Sequence, residues 1–212
     1  MVRKAFAAVF LLTLASLAAE QPLPELRVEP TGGGTFFHIR NVSSQPLTAF
    51  LIELVDYPGS FYALWQDDIG AQPIAPGAER HMRVDNMTVG AVPDYVKIRA
   101  ALYADGASSG IPEKVAQLVE RRRHVLQITR ELIARLEKSQ PKTALVADLK
   151  QWAESIPPAT RANRSSQTGI DQSAARTLIA ETAAQLETHP VEETLAALRA
   201  NERALAASRP AL

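Results

Sequence analysis

The hydrophobic period of this chain changes once, at Asp105-Gly106, and the change restricts the fold to two unlike parts. Ahead of it the apolar residues come in short runs over 26–28, 35–41, 47–55, 61–65, 79–85 and 95–104. Between the runs stand Gly32-Gly33-Gly34, Ser43-Ser44-Gln45-Pro46, Tyr57-Pro58-Gly59 and Ala75-Pro76-Gly77, residues that make turns. Nine of the ten aromatics after residue 20 fall between Phe36 and Tyr103. Aromatic and β-branched residues fit pleated surfaces, so the runs read as strands. No helical pattern separates them, which predicts an antiparallel sandwich rather than a βαβ sheet. Thr48-Ala49-Phe50-Leu51-Ile52 carries no charge and should form a central strand covered on both faces; Val96-Lys97-Ile98-Arg99 alternates and should be wet on one side.

After Gly106 the spacing becomes helical. Val115, Leu118, Val119, Val125, Leu126, Leu132, Ile133 and Leu136 share one arc of a helix over 112–139, opened by Pro112 and broken by Pro141. Arg122 falls inside this apolar stripe, so its guanidinium must either reach out along its stem or meet an acid from the β half. A second helix is expected over 145–156, ended by Pro157-Pro158, and a polar loop runs on to Gly169. Helices over 170–187 and 190–207 are rich in alanine, which buries little area; this expected hairpin should be the less stable part. The stripe of the long helix should pack partly on the strands and partly on the 145–156 helix.

Residues 1–19 read as a signal peptide. Arg3 and Lys4 precede an uncharged apolar run, and Ser16-Leu17-Ala18-Ala19 offers small residues for cleavage after Ala18 or Ala19. The run is shorter than the ~20 residues that span a bilayer, so no permanent membrane anchor is expected. The chain has no cysteine, which removes disulfides, thiolate metal sites and cysteine nucleophiles. Residues 20–110 hold eleven acids against six bases, net −5, and residues 111–212 twelve acids against fifteen bases, net +3. Opposite signs suit two docking halves. The basic excess, interleaved with acids, is too small for a nucleic-acid partner.

The segments Asn41-Val42-Ser43-Ser44-Gln45-Pro46-Leu47-Thr48-Ala49-Phe50, Pro76-Gly77, Ala100-Ala101-Leu102-Tyr103-Ala104-Asp105-Gly106 and Arg121-Arg122-Arg123 resemble a group of uncharacterised exported acidobacterial proteins, over residues 25–125. In that group an immunoglobulin-like domain precedes helices. The resemblance supports the sandwich, and the expected chain is α+β: an immunoglobulin-like β-sandwich over 20–110, then a helical region over 111–212 comprising the long helix and shorter ones. It brings no activity and no site residues.

Candidate chemistry is sparse. Gly106-Ala107-Ser108-Ser109-Gly110 matches G-x-S-x-G, and Asp171 and His189 follow in the order of an α/β-hydrolase triad. That mechanism needs a strained elbow on a parallel sheet and later strands for the acid and the histidine. None is expected, so a structural turn is the better reading and the serine hydrolase the alternative. His38, His81, His124 and His189 lack the spacing of a metal motif; no metal and no cofactor are expected. Asp67-Asp68 and Asp85 offer oxygens without a spaced calcium-ligand series. The sequons at Asn41, Asn86 and Asn163 matter only in a eukaryotic secretory pathway. Tyr57, Phe61, Tyr62 and Trp65 crowd around Pro58-Gly59 and are the best candidates for a binding surface. Arg121-Arg122-Arg123 resembles an anion patch, although Glu113, Glu120 and Glu131 make it read as a solvated helix. The expectation is an exported, monomeric or weakly self-associating, non-catalytic binding or interaction module of the cell envelope. Its partner would be an envelope protein or a glycan.

Overall fold

The computed structural model describes residues 21–55, 62–69, 72–85, 93–138, 140–160 and 162–211. The signal-peptide segment lies outside the described residues. Seven strands come first: β1 (Glu25–Thr31), β2 (Gly34–Arg40), β3 (Leu47–Leu54), β4 (Ala63–Asp67), β5 (Glu79–Asp85), β6 (Val96–Tyr103) and β7 (Ser108–Gly110). Four helices follow: α1 (Pro112–Leu136), α2 (Lys142–Ser155), α3 (Gln167–Thr188) and α4 (Val191–Ala206). The chain is therefore α+β, with antiparallel sheets preceding helices.

The strands form one sheet in the order β1-β2-β5 and another in the order β4-β3-β6-β7, all antiparallel. Phe37 and Ile39 of the first share a buried core with Phe50, Ile52, Ile98 and Tyr103 of the second. Turns are made by the residues the sequence marks for them at 32–33, 43–46 and 75–77, while Tyr57-Pro58-Gly59 lies outside the described residues. Thr31 pairs with Gly34 across Gly32-Gly33, with Gly33 at φ +89°, a two-residue hairpin that favours glycine. The Asn41-to-Pro46 motif is held by its own asparagine. The Asn41 side chain is fully buried, donates to the carbonyls of Gln45 (2.7 Å) and Ile74 (2.8 Å), and accepts from Ser43. No glycan fits at that sequon.

Strand β3 is buried along nearly its whole length, as expected. Leu47, Phe50 and Ile52 face the shared core, while Ala49 and Leu51 face the other way with Ala100 and Leu102. Leu47 and Phe50 share a face across an odd separation because the register with β6 slips between Leu47 and Ala49. A second slip, between Leu51 and Ile52, falls opposite Arg99 and ends the alternation read in Val96-Lys97-Ile98-Arg99. The Arg99 carbonyl then accepts from Ile111 at 2.9 Å. A side chain at Gly110 (φ +106°) would have its Cβ 2.2 Å from that oxygen, so the entry to α1 requires glycine there.

The first half of α1 covers the outer face of the four-stranded sheet, placing Val115, Leu118 and Val119 on Ala49, Leu51, Ala100 and Leu102. Its second half supplies Ile128, Leu132, Ile133 and Leu136 to a separate helical core with Leu145, Leu149, Ile179, Leu186 and Leu198. Two expectations need correction. The helix ends at Leu136, not at 139, with Glu137 as its C-cap. Its main helical neighbours are α3 and α4, while α2 lies chiefly on α3. The alanine-rich pair is accordingly less a hairpin than two supports for α1. Ala174, Ala175 and Ala183 are buried because their small side chains let α3 approach its neighbours.

Candidate functional site

The proposed hydrolase residues are not brought together. Ser108 lies on β7, a strand that the sequence reading did not anticipate. The segment before it is a tight hairpin: the amide of Gly106 bonds the Tyr103 carbonyl, the amide of Tyr103 bonds the Ala107 carbonyl, and Gly106 sits at φ +93°. These are the features of a type I turn closed by a glycine bulge, not of a nucleophile elbow. Ser109 is buried against the Tyr103 hydroxyl at 3.2 Å. Asp171 sits near the start of α3 and His189 just beyond its end. Eighteen residues of helix separate them by about 27 Å.

Of the four aromatic candidates, Tyr57 and Phe61 lie outside the described residues. The other two take different roles. Tyr62 packs into the shared core with its ring edge-on to Phe37, 6.2 Å between centroids, and burial pushes its phenol up to about 12. Trp65 stands on β4 and packs partly against the α1 face of the sheet. It also lines a cleft of about 460 Å³ between β4, α1, α3 and α4. Because β4 is an edge strand, its flank faces the helices across the cleft.

The three arginines of α1 divide. Arg123 is exposed and pairs with Glu120 one turn back. Arg122 is buried and meets an acid from the β half, one of the two outcomes its position allowed. Its Nε and Nη2 donate to the two oxygens of Asp67 at 2.7 and 2.9 Å, and its Nη1 donates to the Arg209 carbonyl at 3.0 Å. Arg121 turns into the cleft. Among the described residues it makes no hydrogen bond and no ion pair. Burial lowers its pKa from the ordinary arginine value, against the pull of Asp67 and Asp171 and together with the neighbouring Arg122 charge. It stays cationic, because an arginine is not deprotonated in a protein. Asp67 acts on it only through space, its two oxygens bonding Arg122.

Of the remaining acidic candidates, Asp67 and Asp68 are occupied, and the side chain of Asp85 lies outside the described residues. Asp68 is buried in an ion pair with Arg80 and accepts from Gln66 at 2.6 Å. With Asp67 engaged as well, neither is a free calcium ligand. Arg121 and the cleft were visible in the sequence only as one member of a basic triplet; the helical angle separates Arg122 but does not tell which neighbour faces a cavity. The histidines also sort differently from their scattered spacing: His38 and His81 stand side by side across β2 and β5. No protein-family model matches the chain, and no curated protein or solved structure is similar to it.

Proposed function

We propose that this protein is an exported, non-catalytic binding module of the cell envelope, and that the Trp65–Arg121 cleft holds an acidic glycan. One observation carries the reading: a half-buried arginine that makes no hydrogen bond or ion pair among the described residues lines the same cleft as an indole ring. A partly desolvated guanidinium with free N–H donors is a natural partner for a ligand carboxylate. The indole gives a flat apolar surface suited to the C–H face of a sugar ring. A cleft of this volume is in the range that encloses a small ligand. The absence of an assembled nucleophile, base and acid around Ser108 favours binding over hydrolysis.

The β half is proposed to be an immunoglobulin-like sandwich. Supporting this is the strand order, in which the first, second and fifth strands make one sheet and the fourth, third, sixth and seventh the other, so that sequential hairpins are broken by crossovers between sheets. Export rests on the sequence of residues 1–19, and the mature chain should begin at Ala19 or Glu20; an intact Met1 on protein recovered from the host envelope would remove this part of the proposal.

The binding proposal is tested by titrating the mature chain with uronic-acid oligosaccharides while following tryptophan fluorescence. Saturable binding is expected. Arg121→Gln should weaken it by roughly ten- to a hundredfold, the range of a lost hydrogen bond to a charged group. A neutral oligosaccharide that binds equally well, or affinity indifferent to Arg121→Gln, would refute it.

A further inference from the structure

The outer face of the three-stranded sheet, away from the cleft, carries an arrangement that hydrogen bonding alone does not explain. The register sets Arg27 of β1 opposite His38 of β2, and His38 opposite His81 of β5. Glu79 precedes His81 by two residues, so both side chains leave the same face of the strand. His38 is almost fully buried there, whereas Glu79 and His81 are open to solvent. Its ring stands 4.6 Å from that of His81, tilted by 62°. Glu79 Oε1 lies 3.2 Å from His38 Nδ1 and 2.8 Å from His81 Nε2.

The conflict is at His38 Nδ1. An Arg27 guanidinium nitrogen, always a donor, approaches it at 2.9 Å, which requires a lone pair on Nδ1. The Glu79 carboxylate, an acceptor, approaches the same atom at 3.2 Å, which requires a proton. One nitrogen cannot satisfy both. The other ring nitrogen is unambiguous: Nε2 lies 2.9 Å from Glu29 Oε2 and donates to it. Glu29 thereby holds the proton on Nε2, so that in the neutral ring the lone pair falls on Nδ1, the atom facing Glu79. A carboxylate behind the distal nitrogen of a histidine is the usual support of a metal-binding imidazole.

We propose that His38 Nδ1, Glu79 Oε1 and His81 Nε2 form a three-ligand site for a divalent ion of the zinc class, with Glu29 as the positioning residue for His38. Two imidazoles and one carboxylate with an open fourth position are a recognised zinc donor set. The three ligand atoms lie within 4.8 Å of one another. Tetrahedral zinc sets its donors roughly 3.3 Å apart, so small side-chain rotations close the site. Arg27 is well exposed and keeps its pairing with Glu29 at 3.1 Å when it leaves Nδ1. The ion replaces its donor contact and ends the conflict. The side toward solvent remains open for a water molecule or an oxygen atom of an external ligand.

The test uses the full mature chain, free of any affinity tag and stripped with chelator, titrated with zinc chloride by calorimetry and with cobalt(II) by visible absorption. One equivalent should bind, and cobalt should give the intense bands of a tetrahedral site. His81→Ala, at an exposed position that leaves the fold intact by circular dichroism, should abolish both signals. Glu29→Gln keeps all three ligands and should weaken zinc affinity by about ten- to a hundredfold while preserving the cobalt spectrum. Absence of stoichiometric binding would overturn the proposal. So would zinc binding that survives His81→Ala, or a Glu29→Gln variant that binds as tightly as the parent.

Discussion

Arg122 is the residue on which the two halves of the molecule meet. It is 1% exposed and is held by Asp67 through two parallel bonds. Such a pair adds little net stability over an apolar contact of the same shape, but breaking it leaves a buried charge uncompensated. Asp67→Asn should therefore destabilise the protein by about 3–5 kcal/mol in urea denaturation. Arg123→Ala, which removes an exposed pair one residue away, should change stability by no more than about 0.5 kcal/mol. Equal effects would mean that water reaches the Arg122 guanidinium. The helical angle of Arg122 in the sequence announced that it needed an unusual partner. It did not say which acid, because Asp67, Asp68 and Asp85 are all near strand ends in the β half.

Among the elements, α1 differs from the rest because it serves two cores. Its early turns cover the four-stranded sheet through Leu118, and its later turns enter the helical core through Leu132. Leu118→Ala and Leu132→Ala should each cost about 2–5 kcal/mol. Gln127→Ala, on the exposed side, should stay within about 0.5 kcal/mol. The measurement that matters is whether both leucine variants shift the same transition, read separately by near-ultraviolet and far-ultraviolet circular dichroism. Two separated transitions would show that α1 does not couple its neighbours. The stripe itself was legible in the sequence from spacing alone, because 3.6-residue periodicity reports which positions share a face. Its partners were not: α2 is nearest in sequence, yet α3 and α4 take the contact. Strand β7 escaped for a related reason. Three residues of Ser-Ser-Gly have no strand propensity, and only pairing with the neighbouring β6 makes them a strand.

At the scale of the whole molecule, the alanine-rich helices matter more than their small side chains suggest. Removing residues 167–212 exposes Ile128, Leu132, Ile133 and Leu136 of α1 and takes away the Arg209 carbonyl that accepts from Arg122. The truncated chain should lose its cooperative thermal transition or melt well below the full protein. Unchanged melting of the truncated chain would show that the sheets and α1 hold without α3 and α4.

The sequence by itself determined the division at Asp105-Gly106, the strands from Leu26 to Tyr103, the turns at Gly33 and Gly77, and the apolar stripe of α1. Each of these is local: it rests on a period of two or 3.6, or on a residue whose own backbone preference suits the turn. Tertiary structure alone decided that Asp67 answers Arg122, that Trp65 and Arg121 line one cleft, and that His38, Glu79 and His81 converge. In the last case a weak local sign existed, the alternate placement of Glu79 and His81, but His38 lies forty-one residues before Glu79. Strand register joins them, and register depends on which strands become neighbours. That choice is made by burial across the whole β half, and no local spacing encodes it.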